Sequence, residues 1–291
     1  MNQRAEDAFR ADIVEVGRRM YARAYVASND GNISIRLDDD TILTTPKSVS
    51  KGFMTPDMMV VTDLSGKKIR GNRDASSELL MHLEVYKNRP DARAVVHAHP
   101  PTATGFAVAG IPLDRAVLAE VVTTLGSIPI AEYGTPSTPE LPEAVRKYIK
   151  AYDGLLLANH GALTVAGDVF AAYYKMETIE HFARISLVAR QLGREHLLSR
   201  DEVVRLQGLR GNYGIKSPAP ICADGSTAPP SDLDPATCQI IQSPESVSGS
   251  GGARLIPTDP TDLDGEIRLS YRELTALIED AVKALLGGQH G

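Results

Sequence analysis

The sequence contains few cysteines, and this scarcity limits the kinds of site it can build. Its 291 residues include two cysteines, Cys222 and Cys238, both in the C-terminal third. Two cysteines cannot form a disulfide-rich framework, and we expect a protein of a reducing compartment. No thiolate is available to the first two hundred residues, so a metal site there has to be built from imidazole and carboxylate groups.

The sequence also lacks the signals of membrane, secreted and nucleic-acid-binding proteins. No apolar run approaches the roughly 18 residues of a membrane-spanning helix. The first fifteen residues, MNQRAEDAFRADIVE, have no apolar segment of the secretory type. A formal net charge of -6, with no basic stretch interleaved with aromatic residues, gives no general attraction to nucleic acid or anionic lipid. We therefore expect a cytoplasmic protein with neither a nucleic-acid nor a membrane partner.

Residues 1–216 alternate helical and strand patterns. Apolar residues recur at helical spacing near the N terminus and over residues 76–87, 139–152 and 169–192, and a short helix is expected after Pro101. The β-rich segments between them are GNISIRL, TILTTP, MMVVTDL, ARAVVHAH, SIPIAEY and GLLLANHGAL. The alternation predicts one α/β or α+β domain with a central sheet and helices around it.

The composition changes at residue 217. Of residues 217–269, 20 of 53 are Pro, Gly or Ser, which predicts a linker that cannot bury enough apolar surface to fold. Residues 270–288 predict an amphipathic helix, since Ser270 and Glu273 have capping-box spacing and Gly287 is a natural stop. A single helix of this length is marginally stable unless its apolar face packs against something. It can pack on its own domain or within an oligomer, or it can dock to another protein.

Three histidines stand at the ends of apolar segments. The stretch AVVHAHPPTA places His97 and His99 two positions apart, and His160 closes the run LLLANH before Gly161. Side chains at i and i+2 of a strand share a face, with Cα atoms roughly 6.5 to 7 Å apart, so both rings can approach one ion. Taken alone, such a pair is more often a packed, hydrogen-bonded one. With His160 at the same rim, three imidazoles and an open fourth position match a catalytic zinc site.

The stretch DASSELLMH predicts a helix start at which Glu78 follows Ser76 and Ser77. Backbone N–H groups at a helix start, together with two hydroxyls, favour phosphate binding, and the Gly31-Asn32 turn is a second loop able to approach the same anion. The alternative is ordinary capping by the serines and a helix-dipole interaction of Glu78.

Five separated motifs occur in order within residues 8–216: DGNISIR, TPKSVSKG, ASSE, VVHAHP and ANHGAL. Together they resemble the class II aldolase/adducin family, and within it the L-fuculose-1-phosphate aldolase type. The resemblance implies a three-layer α/β/α sandwich around a mostly antiparallel sheet of nine-stranded type. It also implies a homotetramer with one zinc ion per subunit, near a subunit interface.

The resemblance further implies a role for each motif residue. His97, His99 and His160 fall on the zinc ligands and Glu78 on the acid/base carboxylate. The phosphate-binding positions correspond to Gly31, Asn32, Lys47, Ser48, Ser76 and Ser77.

The sequence departs from the aldolase pattern in two places and resembles it in a third. Lys47-Ser48 stands where the family has a small Thr-Gly pair, and the lysine either strengthens phosphate binding or meets a carboxylate instead. A tyrosine that the fuculose enzyme brings to a neighbouring subunit's site aligns near Leu118. Tyr213, in RGNYGI, resembles the second catalytic tyrosine, in the C-terminal tail.

The implied function is zinc-dependent retro-aldol cleavage of a deoxyketose 1-phosphate to dihydroxyacetone phosphate and lactaldehyde. The alternatives are a sugar-phosphate 4-epimerase or decarboxylase on the same scaffold, and a metal-free, adducin-like scaffold protein. The linker and helix over residues 217–288 resemble the encapsulation peptides that carry enzymes into bacterial microcompartments. A shell protein is therefore a candidate partner, and the microcompartment lumen a candidate location.

Overall fold

A computed structural model of the chain describes residues 3–215, Ser217 and Ile221. The predicted helix over residues 270–288 and both cysteines lie outside the described residues, as does the predicted linker apart from Ser217 and Ile221. In the described residues, no helix combines the length and hydrophobicity that crossing a bilayer would require.

The helices agree with the helical patterns and add two short ones. Their bounds are Gln3–Ala22 (α1), Leu79–Asn88 (α2), Pro101–Val108 (α3), Ala119–Thr124 (α4), Glu140–Ile149 (α5), Val169–Gln191 (α6) and Arg200–Gly208 (α7). Short 3-10 turns span Lys51–Phe53, Pro56–Met58 and Arg210–Tyr213. The short helices α4 and α7 were not expected from the sequence.

Within the described part of the chain, eight strands form one sheet. They are Asn32–Arg36 (β1), Thr41–Thr44 (β2), Val60–Asp63 (β3), Lys68–Arg70 (β4), Ala94–Ala98 (β5), Ile130–Ala131 (β6), Gly154–Leu157 (β7) and Gly161–Ala166 (β8). The spatial order is β4-β3-β2-β1-β5-β8-β7-β6. All neighbours pair antiparallel except β6 and β7, which are parallel. The expected mostly antiparallel sheet is confirmed, with eight strands here instead of nine.

Helices cover both faces of the sheet, which gives three layers. In β5, Val96 packs into a cluster with apolar side chains of α1, α3 and α6, whereas Val95 packs into a second cluster with α2 and α5. In β7, Leu156 joins the first cluster, and Leu155 joins the second. Because successive strand side chains alternate between faces, strands buried on both sides are apolar throughout, as their sequences are.

The structure corrects two strand predictions. GLLLANHGAL is a hairpin and not one strand: β7 ends at Leu157, Asn159 adopts a left-handed φ of 55°, and β8 starts at Gly161. The apolar run hides this turn because both strands are fully buried, and asparagine tolerates the left-handed region. In SIPIAEY only Ile130–Ala131 forms a strand.

A buried ion cluster ties the layers together. Asp153, which precedes β7 and is 4% exposed, receives Arg89 from the end of α2 at 2.9 Å and Lys175 from α6 at 2.6 Å. Arg89 also donates to the carbonyl of Ile149, and Lys175 to that of Val165. Arg89 also pairs with Asp91 at 2.8 Å, so Asp153 is the one carboxylate that the two cations share, held between elements of opposite faces.

We expect Asp153→Asn to lower the free energy of unfolding by about 3 kcal/mol, because it removes the buried anion that Arg89 and Lys175 share. This corresponds to a fall in melting temperature of roughly 10 °C, measurable by thermal unfolding followed by circular dichroism. The matched control is Asp39→Asn at an exposed position, with an expected change within about 0.5 kcal/mol. Equal melting temperatures for the two variants would show that the cluster contributes nothing to stability.

Candidate active site

The three histidines expected to bind a metal meet at the junction of two strands. His97 lies in β5, His99 follows it, and His160 lies in the turn before β8. Strand β5 pairs with β8 so that Ala98 is opposite Ala162, which brings the turn against the end of β5. The ring centroids of the three imidazoles are 4.7 to 5.0 Å apart.

Hydrogen bonding and burial set the protonation of the rings. His97 is fully buried, and its Nδ1 lies 2.8 Å from the carbonyl of Ala162, so this nitrogen carries the proton and Nε2 has the free lone pair. His99 Nδ1 lies 3.4 Å from a carboxylate oxygen of Asp30. Burial lowers the pKa of His99, and lowers that of His97 well below its ordinary value. Neutral imidazoles are the form that binds metal.

The Glu78 carboxylate lies beside two of the three rings. Its Oε1 lies 3.1 Å from His160 Nε2 and its Oε2 lies 3.5 Å from His97 Nε2. Asn32 Nδ2 donates to Oε2 at 2.9 Å. Burial acts to raise the pKa of Glu78, but attraction to His97 and the hydrogen bond with His160 outweigh it, so the pKa lies well below its usual range. The carboxyl is therefore ionised in the site.

This donor set fits a divalent metal ion. The candidate ligand atoms of His97, His99 and His160 all lie within 4.8 Å of one another, and the Nε2 atoms of His97 and His99 are 3.1 Å apart. Tetrahedral zinc with Zn–N bonds of about 2.0 to 2.1 Å separates its nitrogens by roughly 3.4 Å. Three histidines on one side of a polar cavity leave a position open, as catalytic sites require.

Buried polar contacts behind Glu78 attach α2 to β1. Ser34 Oγ lies 2.7 Å from His82 Nδ1 and 2.8 Å from Tyr86 Oη. Asn32 and Ser34 share one face of β1, whereas Glu78, His82 and Tyr86 follow one another at one-turn spacing on α2. Burial lowers the pKa of His82 to about 3, which keeps this ring neutral. The position of Glu78 is thus set by β1.

A cavity of about 220 Å³ opens beside Glu78 and His99. All six residues expected to bind phosphate line it: Gly31, Asn32, Lys47, Ser48, Ser76 and Ser77. The remaining lining residues were not expected from the sequence: Asn29, Asp30, Pro46 and Lys51. Asp30 stands directly before Gly31 in the DGN motif, so the motif itself was a signal for it. Pro46 and Lys51 likewise stand within the TPKSVSKG motif, although the motif does not reveal that Lys51 is buried, because its burial depends on the folded loop.

Backbone pairing brings the two serines to the Lys47-Ser48 loop. Lys47 N donates to the carbonyl of Asp74 at 2.9 Å, and Ser76 N to that of Thr45 at 3.1 Å. Ser48 has a left-handed φ of 59°. This pairing makes one cradle out of loops about thirty residues apart in the sequence.

Glycine is required at Gly31, on the other wall of the cavity. Its φ is +71°, and a Cβ there would lie 2.8 Å from the carbonyl oxygen of His97. The close approach lets Asn32 reach Glu78 from the start of β1.

The structure does not bring Tyr213 into this cavity. Tyr213 ends a 3-10 turn and is 68% exposed, and Leu118 lines a different groove with α6 residues such as Tyr174 and His181. The catalytic role of Tyr213 stays a prediction.

Comparison with known proteins identifies a family and several relatives of this chain. Residues 11–187 match the class II aldolase and adducin N-terminal domain. The chain is 34% identical to an L-fuculose phosphate aldolase of Methanococcus maripaludis over 181 residues, which are 62% of this chain and 97% of that protein. It is 31% identical to a 3-oxo-tetronate 4-phosphate decarboxylase of Pectobacterium atrosepticum over 188 residues, covering 63% of this chain and 86% of that one.

A solved structure shares the fold. The L-fuculose-1-phosphate aldolase from Thermus thermophilus superimposes with a TM-score of 0.58 at 30% identity, covering 65% of this chain and 98% of that chain.

We expect Gly161→Ala to weaken zinc binding at least about tenfold, because the added methyl displaces a ligand ring. A Cβ at Gly161 would lie 2.5 Å from the carbonyl oxygen of Ala98 and 2.6 Å from Cδ2 of His99. Zinc affinity is measured by competition with a chromophoric chelator, and folding by circular dichroism.

The matched control is Gly167→Ala, at a position with no heavy atom within 4 Å of the added Cβ. The control should bind one zinc ion per chain at unchanged affinity. Zinc binding by a folded Gly161→Ala variant equal to that of the control would contradict the assignment of the three histidines.

Proposed function

The chain belongs to the class II aldolase and adducin family, whose aldolases are metal-dependent lyases, and from this premise we propose that it cleaves a deoxyketose 1-phosphate to dihydroxyacetone phosphate and lactaldehyde. The single observation that carries the proposal is the meeting of His97, His99 and His160 with the Glu78 carboxylate at one end of a polar cavity. The similarity to an L-fuculose phosphate aldolase supports the substrate class. In the proposed assembly, a homotetramer, each subunit binds one zinc ion.

The reaction breaks the C–C bond between the α and β carbons of a ketone. His97, His99 and His160 would hold the cation that stabilises the resulting negative charge. Zinc bound by these imidazoles would act as a Lewis acid for the negative charge that develops on the triose half. The chain supplies no lysine Schiff base in this scheme, because the charge is stabilised electrostatically.

Glu78 moves the proton that the cleavage requires. The hydroxyl on the departing aldehyde carbon loses a proton as the C–C bond breaks, and the triose carbon gains one. An ionised carboxylate beside both positions accepts the first proton and returns it to carbon. Asn32 orients this carboxylate through its hydrogen bond to Oε2.

The part of the cavity formed by the Lys47-Ser48 loop and by Ser76 and Ser77 binds the anionic group of the substrate. Ser76 and Ser77 supply hydroxyl donors near the start of α2, and the paired loop supplies Lys47 and Ser48. Holding the phosphate there places the neighbouring carbonyl, and the C–C bond that breaks, near Glu78 and the imidazoles.

A decarboxylase is the second candidate, favoured by a specific similarity to the 3-oxo-tetronate 4-phosphate decarboxylase. A 4-epimerase would use the same metal and scaffold. A metal-free scaffold has no use for three converging imidazoles and Glu78, and we rank it last.

We expect the zinc-loaded protein to release dihydroxyacetone phosphate from L-fuculose 1-phosphate, and a chelator to abolish the release until zinc is restored. The assay follows triose phosphate, carbon dioxide and epimer formation in parallel. The panel includes L-fuculose 1-phosphate, 3-oxo-tetronate 4-phosphate and unphosphorylated L-fuculose.

The control for the chelator experiment is Glu78→Gln, which keeps the three imidazoles and removes the acid/base group. It should retain zinc while turnover falls by about 10² to 10⁴. Carbon dioxide from the tetronate in place of triose phosphate would assign the decarboxylase, and chelator-resistant turnover would exclude a metal-dependent mechanism.

We further propose that the helix predicted over residues 270–288 docks to a microcompartment shell protein. The support is its sequence: a Pro/Gly/Ser-rich segment precedes one amphipathic helix, and a shell would retain a reactive aldehyde product. The tail proposal concerns location and leaves the chemistry unchanged.

Deletion of residues 224–291 should leave turnover within about twofold of the full chain and abolish co-purification with shell proteins. The deletion starts at 224 because Ser217 accepts hydrogen bonds from Arg210, and Ile221 is buried against Val122 and Val203. The matched variant L274E/L277E keeps the full chain and removes only the apolar face. Loss of turnover on deletion would place the tail in the catalytic body, and co-purification of the variant would reject docking through that face.

A further inference from the structure

Lys51 is a buried cation that the mechanism above does not use. It begins the 3-10 turn Lys51–Phe53, directly after the Lys47-Ser48 loop, and is 2% exposed. Its Nζ donates to the carbonyl of Val49 at 2.7 Å and to that of Asn29 at 3.0 Å. These two carbonyls belong to the two loops that form opposite walls of the cavity.

The ammonium group of Lys51 has an incomplete set of partners. Two of its three N–H donors are accounted for by carbonyls, and within residues 3–215 no carboxylate lies within ion-pair distance of Nζ. Burial lowers the pKa of Lys51 to about 8, against the opposing attraction of Asp30 and Glu78. A buried cation is stabilised when an anion meets it, because neutral carbonyls replace water only in part.

The carboxylates near Lys51 are directed at other groups. Asp30 faces His99 at 3.4 Å, and Glu78 contacts His97 and His160. Both acids therefore belong to the imidazole end of the cavity. Lys51 lines the same cavity as Ser76 and Ser77, and Asp30 and Glu78 attract it from beyond ion-pair distance without contacting Nζ.

Lys47 and Lys51 differ in what surrounds them. Lys47 is exposed at the rim, where solvent and salt screen its charge. Lys51 is enclosed, so its charge acts through a low-dielectric region on whatever fills the cavity.

We propose that Lys51 Nζ binds the anionic group of the substrate directly and is the principal cation of this subsite. The inference rests on the proposed function, in that the cavity has to accept a phosphorylated sugar. Ser76 and Ser77 then orient the phosphate by neutral hydrogen bonds, whereas the positive charge of Lys51 favours an anionic group over an uncharged one. The two carbonyls hold the ammonium in place, which reduces the entropy lost on binding.

The test measures inorganic phosphate binding to the zinc-loaded full chain by calorimetry. Lys51→Met should weaken phosphate binding at least about tenfold, because one charge-assisted hydrogen bond and one charge are lost. Lys51→Gln keeps a donor for the carbonyls without the charge, and should also lose about tenfold. Lys67→Met removes an exposed lysine and should bind within about twofold of the native chain. Folding is followed by circular dichroism.

A KM and kcat comparison separates binding from support of the loop. Lys51→Gln should raise KM for the ketose phosphate at least about tenfold, while inhibition by unphosphorylated dihydroxyacetone stays within about twofold. A loop that merely collapses would weaken both equally. Phosphate affinity of a folded Lys51→Gln variant within twofold of native would overturn the proposal.

A measurement on the native chain covers the case in which both Lys51 variants fail to fold. Acetic anhydride labelling, read by peptide mass spectrometry, should be suppressed at Lys51 by saturating phosphate and unchanged at Lys67. Equal labelling of Lys51 with and without phosphate overturns the assignment. If the native chain binds phosphate and cleaves the ketose phosphate but Lys51 fails these tests, the proposed function stands. If the native chain does neither, the proposed function fails with it.

Discussion

The pairing of β5 with β8 is the constraint on which the active site depends. These strands run antiparallel at the centre of the sheet, and their register puts the end of β5 against the turn that precedes β8. His97, His99 and His160 all lie in that junction, and the carbonyl of Ala162 fixes the free nitrogen of His97. Backbone hydrogen bonds of a sheet buried on both faces therefore hold the imidazoles together, and convergence does not depend on a surface loop. The α2 helix adds Glu78 through its polar contacts with β1.

Charge divides the site into two ends with opposite preferences. At one end, the carboxylates of Glu78 and Asp30 face imidazoles, a set of donor groups that favours a cation. At the other end, Ser76, Ser77 and Lys51 offer donors and a positive charge. A ketose 1-phosphate has complementary groups, because its phosphate lies one carbon away from the carbonyl and two from the first chain hydroxyl, so the two kinds of group can occupy neighbouring subsites. The cavity thus orients such a molecule before any chemistry occurs.

Sequence reasoning found the parts of this site that short-range spacing determines. His97 and His99 could be predicted because side chains two residues apart on a strand point to the same face. Glu78 could be predicted because it adjoins the Ser76-Ser77 helix start. The hairpin around His160 was missed, since the apolar run continues through the turn and only the left-handed Asn159 interrupts it. Lys51 was missed for a different reason. A lysine in a loop is ordinarily solvated, and its burial here arises from packing between segments distant in sequence.

The three imidazoles do not by themselves determine the reaction class. Both an aldolase and a decarboxylase are among the relatives at comparable identity, so a shared metal centre does not separate them. Ser48 has a left-handed backbone, which glycine adopts most readily, at the position where the aldolase pattern has glycine, and Lys47 adds a positive charge at the rim. Lys47 and Lys51 together attract a phosphate, with a charge between about -1.5 and -2, more strongly than a single carboxylate. A substrate that carries both groups would place its phosphate in this subsite and leave the carboxylate to face the imidazoles. The loop therefore favours phosphorylated substrates in either reaction, and the group presented at Glu78 determines which bond breaks.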